Sequence, residues 1–308
     1  MTHIRAEGHA AAAQSAPWSN PPHAHRLIAL YRTMARIRAF ENAAEIASQG
    51  GVQAWGLETS ARPALVRGPL HLSTGQEAVA TGVCANLTRK DLLTSTHRGH
   101  GHTLAKGADV NRMMAELFGK ATGTNHGKGG SMHIADFSVG MLGANGVVAA
   151  GMPIAVGAAH ALKIRGRPEI VACFFGDGAV NRGPFLEALN WAVVYKLPVL
   201  FVCEDNRISA TTPTGPMTGG PGATARAESI GVPAVVVDGN DVEAVDATAA
   251  PMMVASEIGV SMTRSGPNSC CSPRYCAKIP PRPRSSPSAT TLRSARMASA
   301  SAVAAACE

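Results

Sequence analysis

The stretch 169–206 constrains this chain more than any other. It opens on an apolar run, Ile170-Val171-Ala172-Cys173-Phe174-Phe175, which ends at Gly176-Asp177-Gly178. Residues 183–195 follow, with Phe185, Leu189, Ala192 and Val193 on one helical face. A second apolar run, Pro198-Val199-Leu200-Phe201-Val202-Cys203, closes at Glu204-Asp205-Asn206. Two short β-rich runs flanking one amphipathic helix predict a βαβ unit, which needs about 30 residues or more. Asp177 and Asn206 stand 29 residues apart, so they fall at equivalent ends of two parallel strands. Open α/β sheets bind their ligands at those carboxyl ends.

The residue types at these ends point to one chemistry. Asp177 offers a hard carboxylate oxygen and Asn206 a neutral amide oxygen. Mg²⁺ takes a few such oxygens and fills its octahedron with water and phosphate oxygens. Gly176 and Gly178 carry no side chain, so a diphosphate can approach the backbone, and the amides that start the next helix favour an anion. A solvated Asp in an ordinary turn is the plainer reading of Gly-Asp-Gly alone. The strand before it and the Asn closing the next strand favour a Mg-diphosphate site.

Upstream, residues 27–48 carry Leu27, Leu30, Met34, Ile37 and Ile46 near one face and predict a helix. Residues 50–68 read as a long loop. Thr74 and Glu77 match a capping box at the head of a helix over 74–87, which makes Glu77 a cap. His71, just before it, reads equally as a hydrogen-bonded turn residue or a site residue. Residues 91–96 predict a short strand ending at His97-Arg98-Gly99-His100-Gly101-His102. Three His in six residues raise the question of a metal. No acidic or Cys partner is near in sequence, and Arg98 repels a cation. A cationic, Gly-spaced turn at a strand end suits a phosphate, with Arg98 giving planar charged donors. Residues 110–118 predict a helix, followed by a Gly-rich loop over 119–130 of a length that is usually functional or disordered. A helix is expected from near Pro153, and Val148 by itself reads as core packing. Residues 211–223, rich in Gly, Pro and Thr, are expected to be mobile. A helix over 225–230 and a strand at Val235-Val236-Val237 follow.

These motifs together resemble the α subunit of the E1 component of 2-oxo acid and acetoin dehydrogenase complexes. The likeness rests on Gly176-Asp177-Gly178 with Asn206, Gly75-Gln76-Glu77-Ala78, the His97–His102 turn, Gly127-Lys128-Gly129-Gly130-Ser131-Met132-His133 and Gly143-Ala144-Asn145-Gly146-Val147-Val148. It runs from about residue 27 to about residue 250. It implies an α/β, thiamine diphosphate-binding fold, a mostly parallel sheet with helices on both faces. It further implies Mg²⁺ held by Asp177, Asn206 and the Ile208 carbonyl. His71, His97, Arg98, Ala135, Gly146, Val148, Asp177, Gly178, Ala179 and Asn206 would contact thiamine diphosphate, and His100 and His102 would face the substrate. Departures are His97 and Ile208, where the family often has Tyr, and Asp205, where Asn is usual. The activity implied is oxidative decarboxylation of a pyruvate-like 2-oxo acid, or cleavage of acetoin, with transfer to lipoamide on an E2 component. In such enzymes the Glu that activates the aminopyrimidine comes from a β subunit, so an α2β2 partner is implied.

The expected organisation is a flexible arm over 1–25, one domain over 26–250 and an aberrant tail over 251–308. The tail is rich in Ser, Pro, Arg and Cys with one aromatic residue, Tyr275, too little to offset ordering entropy. The strand, the Gly-His-Ser turn and the helices that the family places there are not legible. An abrupt change of this kind predicts a frameshift near codon 250 or a disordered extension. A truncated, inactive pseudo-subunit is the rival to an active one. The tail also carries +5 of the +7 net charge, so the basic balance is poor evidence for a nucleic-acid surface. The seven Cys form no CxxC, and no membrane span or G-x-G-x-x-G after a strand is evident. A cytoplasmic protein without a nicotinamide site is expected.

Overall fold

The computed structural model describes residues 21–49, 63–66, 68–254 and 259–264. Six parallel strands form the central sheet: β1 (Leu92–Thr96), β2 (Met141–Asn145), β3 (Val171–Gly176), β4 (Val199–Asp205), β7 (Ala234–Asp238) and β8 (Gly259–Arg264). Their order is β2-β1-β3-β4-β8-β7. A small antiparallel hairpin, β5 (Ile208–Ser209) with β6 (Thr212–Pro213), projects beyond β4. Eight α-helices are described: α1 (Pro21–Ser48), α2 (Glu77–Cys84), α3 (His100–Ala105), α4 (Val110–Leu117), α5 (Gly151–Ile164), α6 (Gly183–Val194), α7 (Ala223–Glu228) and α8 (Val242–Val254). All belong to one compact unit, Met1–Cys270.

Two cores lie on opposite faces of the sheet, and side-chain alternation along β3 and β4 assigns residues to each. Val171, Cys173, Phe175, Val199, Phe201 and Cys203 pack with Val156, Phe185, Leu189 and Ala227 from α5, α6 and α7. Ala172, Phe174, Leu200 and Val202 pack with Ile37, Val79, Leu104, Met113 and Val245 from α1, α2, α3, α4 and α8. Strands buried on both faces need apolar residues at every position, which explains the unbroken runs in the sequence. The expected α/β fold with helices on both faces is therefore present. Gly82 permits the α2–α8 contact, since a Cβ there would lie 2.7 Å from Val245 Cγ1. Beside it, Arg26 donates to Asp246 at 2.6 and 3.0 Å and to Asn86 at 3.2 Å, fastening the start of α1 to α8.

Several expectations need correction. The helix expected from residue 27 starts at Pro21, inside the supposed arm, and residues 1–20 lie outside the described residues. The boundary expected at residue 250 falls within α8, and β8 lies beyond it between β4 and β7. Gly259-Val260-Ser261-Met262-Thr263-Arg264 alternates apolar with small or polar residues, a strand period masked by the composition of the whole tail. Residues 265–308, and most of the loop expected over 50–68, lie outside the described residues. β2 and α3 were not foreseen either. Gly143 inside β2 weakens its strand signal, and α3 is a short helix built on the His-rich turn. The capping box at Thr74 is absent: α2 begins at Glu77, its N-cap is Gln76, and the Thr74 hydroxyl is buried without a partner. Glu77 instead pairs with Arg38 and accepts a hydrogen bond from the Gly75 amide. Among the described residues, no helix is long and apolar enough to cross a membrane.

Candidate cofactor site

The parallel register aligns the carboxyl ends of four neighbouring strands. Thr96 of β1 is level with Asn145 of β2, and Gly176 of β3 with Glu204 of β4. The residue after each strand therefore emerges on one edge of the sheet, and Asp177 comes to lie beside Asp205. Asp177 opens a 3-10 turn, Asp177–Asn181, so α6 starts only at Gly183. Its carboxylate accepts a short hydrogen bond from the Thr214 hydroxyl. Burial first, with the neighbouring Asp205 carboxylate adding and the Thr214 hydroxyl opposing, raises the Asp177 pKa to about 6. Two facing carboxylates of this kind disfavour each other's ionised form. Residues 211–223, expected to be mobile, form β6 and a 3-10 turn around this buried Thr214.

The oxygen donors at this edge fit a hard divalent cation. Asn206 Oδ1 accepts from the Ile208 amide at 3.0 Å and keeps a second lone pair. In the hairpin, the Thr214 amide donates to the Arg207 carbonyl at 3.0 Å. Bonded and non-bonded pairs alternate in antiparallel strands, so the next pair, Ile208–Pro213, is non-bonded. The Ile208 carbonyl thus points away from β6, and Pro213 loses no ladder bond. Among the described residues there is no group of three or more His, Cys, Asp or Glu with metal-holding geometry. A set made of one carboxylate, one amide and one carbonyl is of a different kind. The two glycines separate in role. A Cβ on Gly176 would meet open space, whereas one on Gly178 would strike Ser209, 2.6 Å from its Oγ. Gly176 leaves room at the site, and Gly178 is required by packing.

Next to this edge, His71 and His97 meet edge to face with ring centroids 4.5 Å apart. The Arg98 guanidinium donates a short hydrogen bond to the Leu72 carbonyl, holding the β1 turn against the His71 segment. Burial first, then His71 and Arg98, push the His97 pKa down to about 4, partly offset by Glu204. The His71 pKa is lowered by burial, with Arg98 and His100 adding. Both rings are therefore held neutral beside a fixed guanidinium.

His100 and His102 differ from expectation. Both are buried, and both have acidic partners that sequence proximity did not reveal. His100 Nδ1 lies 2.9 Å from Glu41 Oε2, and its Nε2 lies 3.0 Å from Ser131 Oγ. His102 Nδ1 lies 2.8 Å from Ser95 Oγ, its Nε2 3.3 Å from Glu204 Oε1, and its ring tilts over Phe174 at 3.9 Å. With every ring nitrogen engaged, these histidines tie α1, α3, β1, β4 and the Gly-rich loop together. Val148 is 49% exposed, so core packing does not account for it, while Ala135 is buried. Gly146 lies against Met132 and His133, where a Cβ would sit 2.9 Å from Met132 Cε. Ala179 is buried in the turn after Asp177. Thr214, Glu204, Glu41 and Ser131 were missed as contributors. Of these, Glu204 carried a signal beside Asp205 at a strand end and Ser131 within the Gly127–His133 motif, whereas Thr214 and Glu41 carried none.

The chain is 48% identical over 217 residues to the α subunit of acetoin:2,6-dichlorophenolindophenol oxidoreductase of Bacillus subtilis, covering 70% of this chain and 61% of that one. The corresponding subunit of Cupriavidus necator is 45% identical over 219 residues, 71% and 62% of the two chains. The pyruvate dehydrogenase E1 component subunit alpha of Porphyra purpurea is 41% identical over 229 residues, 72% and 62%. The chain thus spans about three fifths of the length of these curated relatives. The model of the family described as "Dehydrogenase E1 component" matches residues 58–255, more than half of the chain, which therefore belongs to the dehydrogenase E1 component family.

Proposed function

We propose that this chain is the α subunit of a thiamine diphosphate-dependent E1 dehydrogenase that works with a β subunit and a lipoyl-bearing E2 component. The observation that carries this reading is the joint placement of oxygen donors and cationic or neutral nitrogen donors along one carboxyl edge of the sheet. Asp177, Asn206 and the Ile208 carbonyl would hold Mg²⁺, and with it the cofactor diphosphate. Arg98 and the neutral His97 and His71 would donate hydrogen bonds to that diphosphate, and a neutral ring donates without bringing in a compensating counter-ion. Gly176 leaves the space, and Ala135, Gly146, Val148, Gly178 and Ala179 would line it. Thr214 orients the Asp177 carboxylate. When bound, thiamine diphosphate supplies the carbanion and electron sink that cleave a bond beside a carbonyl. His100 and His102, each pinned at both nitrogens, would position the turn that faces the substrate.

Identities of 48% and 45% to acetoin-type subunits, against 41% to a pyruvate-type one, favour acetoin over pyruvate. Three buried free thiols, Cys84, Cys173 and Cys203, suit a reducing cytoplasm. The test is to combine the full chain with its β partner, Mg²⁺ and thiamine diphosphate, and follow dye or lipoamide reduction. Acetoin-dependent reduction is expected. Reduction with pyruvate alone would move the substrate assignment. A stable pair with no turnover would establish an inactive partner subunit instead.

A further inference from the structure

Gly-rich loops with left-handed residues form backbone nests, concavities of N–H groups that cradle phosphates and other anions. The loop over residues 119–130 has this form: Gly119, His126, Gly127 and Gly130 have φ of 66°, 56°, 74° and 54°. Its concavity is already filled from within the chain. Glu116, in the last turn of α4, is fully buried. Its Oε2 accepts from the amides of Asn125 and Gly127, each at 2.8 Å. Its Oε1 accepts from those of Gly129 at 2.7 Å and Gly130 at 3.2 Å. A carboxylate has about four acceptor positions, so Glu116 is saturated. Among the described residues it forms no ion pair. The loop closes tightly on it: a Cβ on Gly123 would lie 2.7 Å from Glu116 Cα, and one on Gly127 would lie 2.8 Å from Lys120 N.

The segment that leaves the nest is the one that reaches the cofactor edge. Ser131 Oγ meets His100 Nε2, the Ala144 amide of β2 donates to the Ile134 carbonyl at 2.7 Å, and Met132 and His133 fill the space over Gly146. We propose that the 119–130 loop is an anion nest occupied by Glu116, and that Glu116 is thereby a positioning residue for Ser131–Ala135 at the cofactor pocket. The second half rests on the function proposed above. It also assigns the loop no external phosphate, since an internal carboxylate holds the amides that would bind one.

Amide hydrogen exchange on the full chain tests both halves without turnover. In Glu116→Gln, the new NH2 group faces two amide donors in place of an acceptor. Exchange at Asn125, Gly127, Gly129 and Gly130 should accelerate by about tenfold or more, because hydrogen bonds to a charged group are lost. The Ala144 amide should accelerate with them, while those of β3 and β4 keep their protection. Wild-type rates at the four loop amides would overturn the nest, and an unchanged Ala144 would overturn the positioning role. If E116Q does not fold, Glu116→Asp keeps the charge but cannot reach both pairs of amides, and the same sites are read. Titration of the chain paired with its β partner, using Mg²⁺ and thiamine diphosphate, supplies the second readout, with about tenfold weaker binding expected in the variant. Equal affinity would overturn the positioning role. Absence of binding by the wild type would overturn the function proposed above, and the Ala144 rate would then decide the inference alone.

Discussion

Two carboxylates, each set among glycines, have opposite fates in this molecule. Glu116 receives four backbone N–H groups and has no acceptor position left. Asp177 receives the Thr214 hydroxyl, faces Asp205, and has its pKa raised to about 6 by burial and that neighbour. The first carboxylate is architecture, because nothing is left for a ligand to satisfy. The second keeps acceptor positions beyond the Thr214 hydroxyl, and it is the carboxylate proposed above to hold a metal. Residue type and neighbouring glycines do not separate them, since each is an acidic residue near a glycine-rich turn. The count of donors around each oxygen does.

That contrast can be broken by substitution. Asp177→Ala should weaken Mg²⁺–thiamine diphosphate binding by at least about 100-fold, more than removal of a residue one step from a metal usually does. The metal-free protein should melt no lower than wild type, because the change removes a carboxylate that burial and Asp205 disfavour. A large drop in melting temperature with binding retained would reverse the assignment of roles. Gly123→Ala attacks the other carboxylate by overpacking it and should destabilise the fold by about 1–3 kcal/mol in urea unfolding. An unchanged midpoint would show that the loop does not close on Glu116 as described.

A smaller effect sharpens the electrostatic side of the contrast. The folded His97 pKa of about 4 lies below the ordinary value of 6.5, so the fold favours the neutral ring. As pH falls from 6.5 towards 4, the unfolded chain takes up a proton that the folded chain refuses, and stability falls. Above 6.5 the contribution is constant. His97→Gln should flatten this acid limb in melting curves taken between pH 7 and 4, with a residual slope from His71, whose pKa is also lowered. An equal slope in the variant would show that His97 is not held neutral by its surroundings.

The parts of the fold legible in the sequence are those with a strong period or a continuous apolar run. β3, α6 and β4 fall where 170–175, 183–195 and 198–203 place them, because strands covered on both faces read as near-continuous apolar runs, with polar Glu204 and Asp205 only at the carboxyl end of β4. α4 follows from its apolar face, and Asp109 caps it by accepting from the Arg112 amide at 2.8 Å; α1 is present where expected, but Ile46 is exposed and its buried residues are Leu30, Ile37, Phe40, Glu41 and Ala44. β2 and α3 were obscured by Gly143 and by the His-Arg-Gly-His-Gly-His turn, where local propensity is poor and tertiary contacts decide. β8 was obscured by the composition around it. It fills the gap between β4 and β7, a need that exists only once the sheet is assembled.

By itself, the sequence determined the βαβ unit, the placement of Asp177 and Asn206 on one sheet edge, and the membership of the family, because strand period and chain connectivity fix which residues emerge at a strand end. Only the tertiary structure decided what surrounds them. Thr214 reaches Asp177 from 37 residues away, Glu41 reaches His100 from 59, and Glu116 gathers amides from 9 to 14 residues downstream. Such partners are chosen by where packed helices and loops end in space. A buried polar group takes the nearest donor or acceptor there, whatever its distance along the chain.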